Sequence, residues 1–156
     1  ENEDCVVLCG DAPLIRGTTV SRLRRERHDH GADAAVLSAV LADPTGYGRI
    51  VRGDGASVNA IVEERDADES IRAIREVNSG AYSFTWGRVR PMLETLSPSP
   101  VTGEYYLTDA VRGISAEGGL VVAVEADSPD EVMGINTPEQ FALVEASLAR
   151  RDAAKS

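Results

Sequence analysis

The chain has 156 residues, 42% hydrophobic and 27% charged, which suits one globular domain with a sizeable core and excludes a disordered chain or a collagen-like repeat. A formal net charge of −10 makes it a poor general binder of nucleic acid or anionic membrane, yet allows a small anionic substrate held by a metal ion or oriented N–H groups. No apolar run reaches the roughly 20 residues of a membrane-spanning helix, and Cys5 and Cys9 read as buried free thiols in one strand, which suits a reducing, cytoplasmic setting.

Residues 6–10 form a continuously apolar run closed by Gly10, the pattern of a strand buried on both faces, as in a parallel sheet. Asp11 follows, and Pro13 stops the strand. Thr18 or Thr19 can cap a helix running to about residue 30, with Gly31 beyond its end. Arg22, Arg24, Arg25, Glu26 and Arg27 read as its solvated face, and His28 and His30 as its exposed end. Residues 34–41 are again strand-like, and residues 43–48 have strong turn chemistry. Residues 49–52 and 57–63 flank Gly53-Asp54-Gly55, a hairpin signal. A short polar helix is expected over 66–75, and a strand over 76–84 that Asn78-Ser79-Gly80 interrupts.

Residues 86–96 are helical in pattern, with Pro91 arguing for a kink or a late start. Residues 97–100 are a turn or rigid loop. Thr108 or Asp109 opens a helix ending near Gly118-Gly119, residues 120–124 are a strand, and residues 128–134 a loop. Thr137-Pro138-Glu139-Gln140 is a capping box, opening a helix with Phe141, Val144 and Leu148 on its apolar stripe. A charged tail follows over 151–156. The alternation of strands and helices gives one α/β domain over 1–150, with a mixed, mostly parallel sheet and a ligand beyond the carboxyl ends of the parallel strands.

Chemistry must come from polar residues at strand ends. There is no Gly-x-Gly-x-x-Gly, P-loop or Gly-x-Ser-x-Gly, and no zinc spacing. Asp11 is either a Mg²⁺ ligand in the crevice or a cap for the next segment. Asn136 could complete a Mg²⁺ shell or serve a turn. Asn78 could hold sugar hydroxyls or occupy a bulge, and Glu63 could accept from sugar hydroxyls or face solvent. Gly46-Tyr47-Gly48 permits close approach of backbone to ligand.

The order of these blocks carries a resemblance. Leu8-Cys9-Gly10-Asp11-Ala12-Pro13-Leu14-Ile15 comes first, then Asp43-Pro44-Thr45-Gly46-Tyr47-Gly48-Arg49-Ile50. Ala60-Ile61-Val62-Glu63-Glu64, Glu76-Val77-Asn78-Ser79-Gly80 and Gly103-Glu104-Tyr105-Tyr106-Leu107-Thr108-Asp109 follow, and Gly134-Ile135-Asn136 with Glu139-Gln140 closes the series. Together they closely resemble the uridyltransferase domain of the bacterial N-acetylglucosamine-1-phosphate uridyltransferase family, the GlmU type. The resemblance implies a Rossmann-like nucleotide-diphospho-sugar transferase fold. It implies the cytoplasmic reaction of UTP with N-acetylglucosamine 1-phosphate to give UDP-N-acetylglucosamine and pyrophosphate, for cell-envelope (peptidoglycan) precursors.

By position, Asp11 and Asn136 match the family's Mg²⁺ ligands and catalytic pair. Cys9, Gly10 and Asp11 match its nucleotide-sugar segment, Gly48, Glu63 and Asn78 its sugar-binding positions, and Tyr106 and Thr108 the surroundings of its acetamido pocket. The family's glycine-rich loop and following lysine are not among these residues, whose single lysine is Lys155. The chain therefore matches the carboxyl-terminal two-thirds of the domain, with about 90 residues, three βαβ-sized pieces of about 30 each, expected before it, and no turnover of UTP is expected of it alone. Cys9 stands where the family more often has an aromatic or small residue, and residues 97–102 replace an Asn-rich approach to Gly103. The competing readings are a nucleotidyltransferase for another sugar 1-phosphate and a non-catalytic sugar-nucleotide-binding module. Neither nucleic acid nor membrane is an expected partner, and the oligomeric state is left open.

Overall fold

Six strands share one sheet in the computed structural model, which describes residues 3–153. In chain order the elements are β1 (Asp4–Val7), α1 (Gly17–Asp29), β2 (Ala34–Val40), β3 (Arg49–Arg52), β4 (Val58–Val62), α2 (Glu69–Arg72) and β5 (Glu76–Thr85). They continue with α3 (Trp86–Glu94), α4 (Thr108–Ala116), β6 (Val121–Glu125), a 3₁₀ turn (Pro129–Val132) and α5 (Pro138–Ala153). Lys155 lies outside the described residues.

The sheet is mixed but mostly antiparallel, which corrects the parallel expectation. Its order is β4-β3-β5-β2-β6, with β1 also on β5. Among the described residues only β2 and β6 pair in parallel. β5 runs antiparallel to β1, β2 and β3, and β3 antiparallel to β4. The apolar run over residues 6–10 is not buried on both faces, since Val6 and Leu8 are exposed, and the buried β2 has one parallel and one antiparallel neighbour, so burial does not report direction.

The inner strands supply both halves of the core by simple alternation. Ala34 and Val36 of β2 join Tyr82, Phe84, Val111 and Ile114 on the face covered by α3 and α4. Ala35, Leu37 and Ala39 join Leu23 of α1, Val77, Val122 and Val132 on the other. Full burial of each Val or Leu contributes about 1.5–3 kcal/mol.

Several local rules hold. The β3–β4 hairpin closes through Gly53 N donating to Ser57 O at 3.0 Å, with Gly55 at φ +65°. Gly31 ends α1 at φ +60°. Thr137 and Gln140 exchange the hydrogen bonds of a capping box at the start of α5.

Other expectations fail for identifiable reasons. β1 ends at Val7, so Cys5 and Cys9 do not share a strand, and Cys9 is exposed rather than buried. Neither Thr18 nor Thr19 caps α1, because the helix already starts at Gly17 with Arg16 at its N-cap, and the Thr19 hydroxyl donates to Glu131 instead. Arg27 is not on a solvated face: it is 4% exposed and bonded to Asp4, Ser83 and Thr85. In α5 only Val144 of the expected stripe is buried, while Phe141 and Leu148 are exposed. That helix also continues to Ala153, and Arg151, placed in the expected tail, donates to Leu14 O at 2.6 Å.

Candidate active site

β5 meets two strands end to end along one edge. Its carboxyl-terminal half pairs with β1 from Tyr82 to Thr85, and Val77 near its start pairs with Arg49 of β3. Between the two contacts the strand leaves regular pairing. Against β2, the register slips between Val36–Tyr82 and Ser38–Asn78, so Ser79, Gly80 and Ala81 face Leu37 alone. Gly80 takes φ +77°, which a bulge requires of it. The sequence's two readings of Asn78-Ser79-Gly80, bulge or binding segment, are thus one structure: the bulge is the floor of a cleft.

That cleft, about 380 Å³, is lined by Cys9, Asp11, Gly48, Glu63, Asn78 and Asn136, with Thr45 to Tyr47, Gly134 and Gln140 completing the wall. Six of the sequence-selected positions, from five separate segments, therefore converge. Gly10 sits beside the lining without being part of it. Tyr106 and Thr108 instead line an adjoining hollow of about 240 Å³, with Asp66, Ser99 and Arg112. Glu63 belongs to both hollows.

The polar groups are held in place. Asn78 N donates to Gly48 O at 2.8 Å, tying the floor to the loop before β3. The Asn78 amide donates to Tyr82 OH at 2.7 Å and accepts from Gly80 N at 3.0 Å. Thr108 Oγ1 donates to Glu63 Oε1 at 2.9 Å. A Cβ on Gly48 would lie 3.2 Å from Glu63 Oε2, so glycine keeps this carboxylate open to the cleft. Burial pushes the Glu63 carboxyl above the usual carboxylate range, and the Thr108 bond opposes that shift. Cys9 Sγ lies 3.4 Å from Gly80 O. Partial desolvation where the thiol faces the cleft, with the Asp11 and Glu63 carboxylates adding to the effect, raises its pKa and disfavours the nucleophilic thiolate.

Asp11 and Asn136 both flank Gly134. A Cβ on Gly134 would stand 3.5 Å from both Asp11 Oδ2 and the Asn136 side-chain nitrogen. Ile135 N donates to Asp11 O at 2.9 Å, joining the two segments directly. Among the described residues no three His, Cys, Asp or Glu side chains gather as a metal site. One exposed carboxylate and one amide, whose oxygen and nitrogen can exchange places by a flip, suit a hard cation that keeps most of its waters, as Mg²⁺ does, and do not suit zinc.

Sequence reasoning missed Gln140 as part of the wall, having read it only as a helix cap. It also missed Glu131, a fully buried carboxylate behind the cleft. A glutamate between an aspartate and a valine carries no pattern that would have marked it.

This open α/β sheet, with a cleft at the broken edge of β5, defines a nucleotidyltransferase-like fold. The crystal structure of an apo UDP-glucose pyrophosphorylase superposes with a TM-score of 0.66 over 98% of this chain and 56% of that one, at 17% identity, a likeness of fold alone. Relatives in sequence are closer. The bifunctional protein GlmU of Heliobacterium modesticaldum is 46% identical over 151 residues, 97% of this chain and 33% of that protein. GlmU of Geobacillus thermodenitrificans is 46% identical over 147 residues, 94% of this chain and 32% of that protein. The chain is homologous to one region of the GlmU proteins, the uridyltransferase region that its sequence blocks resemble, and spans about a third of the length of these relatives. No protein-family model matches it.

Proposed function

We propose that the chain forms the sugar-phosphate and metal-binding part of a nucleotidyltransferase domain that makes UDP-N-acetylglucosamine and pyrophosphate from UTP and N-acetylglucosamine 1-phosphate. The observation that carries this reading is that Asp11 and Asn136, which flank Gly134, line one cleft with Glu63 and Asn78.

In this reading the Glu63 carboxylate and the Asn78 amide accept from sugar hydroxyls, because both hold lone pairs in fixed directions. Gly48 keeps the approach to Glu63 clear. Asp11 and Asn136 would hold Mg²⁺, which when bound neutralises phosphate charge as a Lewis acid and template. The protein's share is positioning: the sugar phosphate oxygen is held in line with the α-phosphorus, and little covalent work falls to side chains. Tyr106 and Thr108 bound the adjoining hollow, where an N-acetyl group would extend past Glu63. In this reading the cleft binds the sugar-phosphate end of the product.

The reading is tested by amide NMR of the chain titrated with UDP-N-acetylglucosamine or UDP-glucose in Mg²⁺. Shifts centred on Gly48, Asn78, Gly80 and Asn136, with Thr108 shifting further for the N-acetyl sugar, are expected. Shifts confined to other surfaces would contradict it.

A further inference from the structure

Glu131 is 0% exposed, yet nothing in the proposed chemistry uses it. Its Oε2 accepts from Thr19 Oγ1 at 2.5 Å and from Arg16 N at 3.2 Å, and Arg16 Nε lies 3.7 Å from Oε1. These partners open α1, the helix that follows the Asp11 segment. Glu131 itself sits in the 3₁₀ turn that leads, through Val132 and Gly134, to Asn136.

The same two stretches are joined by other bonds. Ile135 N donates to Asp11 O at 2.9 Å. Ser147 Oγ of α5 donates to Asp130 Oδ2 at 2.7 Å, holding the other side of the turn. Gln140 Oε1 accepts from Asn136 N at 2.6 Å. The Glu131 carboxylate is the innermost of these ties. It meets the positive end of α1 through the Arg16 amide, where a negative charge is favoured.

We propose that Glu131 is a positioning residue. By anchoring the 3₁₀ turn to the start of α1 through Thr19 and Arg16 N, it sets the spacing of Asp11 and Asn136. The inference rests on the reading of that pair as the metal site. Partners that orient ligands typically change metal affinity by about 10–100-fold when removed.

The test uses the 156-residue chain and Mn²⁺ as probe, followed by electron paramagnetic resonance. Thermal unfolding confirms that each variant is folded. Thr19→Val and Glu131→Ala should bind Mn²⁺ about tenfold more weakly or worse, and Thr19→Ser, which keeps the hydroxyl, should stay near wild type. Amide exchange at Ile135 should accelerate in the first two variants, while amides of β2 keep their protection. Folded variants with wild-type Mn²⁺ affinity and wild-type Ile135 protection overturn the inference. If Glu131→Ala does not fold, Thr19→Val decides alone. Failure of the metal reading looks different: Asp11→Asn then binds Mn²⁺ as well as wild type, which overturns both. Failure of the inference alone leaves Asp11→Asn deficient and Thr19→Val normal.

Discussion

The hydroxyl of Thr108 donates to the carboxylate of Glu63 at 2.9 Å, so the first residue of α4 fixes a side chain shared by two adjoining hollows. The bond partly offsets the burial that raises the Glu63 carboxyl. A carboxyl whose folded pKa lies above its unfolded value contributes stability that is full below the unfolded value and is lost as pH rises through the folded one. Glu63→Gln does not titrate and can still accept from Thr108. Its melting temperature should therefore gain on wild type as pH rises from about 4 to 8. A pH-independent difference between the two melting curves would contradict this.

Gly80 and Cys9 form a second coupled pair. Gly80 sits at φ +77°, and a Cβ there would collide with Cys9 Sγ. Gly80→Ala should cost about 1–2 kcal/mol from the left-handed backbone alone, with the steric conflict added. Cys9→Ala/Gly80→Ala should recover the steric part and leave the backbone part. A double-mutant cycle from thermal melts measures the coupling, and strict additivity would show that the thiol and the bulge do not touch.

Arg27 anchors α1 beneath the sheet. Its guanidinium, 5% exposed in the side chain, is bonded to Asp4 and to the hydroxyls of Ser83 and Thr85. Arg27→Met leaves the buried Ser83 hydroxyl without its donor and takes one of three cationic partners from the part-exposed Asp4, and should destabilise by about 1–3 kcal/mol. Urea unfolding should report it as a lower midpoint with an unchanged slope. A loss well under 1 kcal/mol would mean that Arg24 and His28, which also reach Asp4, suffice.

These pairs mark what was and was not legible in the sequence. Asp11, Glu63 and Asn78 stand out because each ends or breaks an apolar run, Asn136 through the family resemblance, and the fold brings all four to one cleft. The hairpin, the capping box and the glycine after α1 were legible because each depends on a few adjacent residues. The direction of β5 was not, since burial on both faces does not report direction. Arg27 was read as solvated because its neighbours on α1 are, while its partners come from β1 and β5. Glu131 was invisible for the same reason: its donors belong to α1, far away in the chain.

The account rests on Asp11 and Asn136 serving a bound sugar nucleotide through a metal ion. The most direct test is a calorimetric titration of the chain with UDP-N-acetylglucosamine, in Mg²⁺ and in EDTA, for wild type and Asp11→Ala. The account predicts saturable binding by wild type in Mg²⁺, weakened at least tenfold by EDTA or by the substitution, on the order of a lost buried contact or more. Binding that is indifferent to both, or no binding in Mg²⁺, would contradict it.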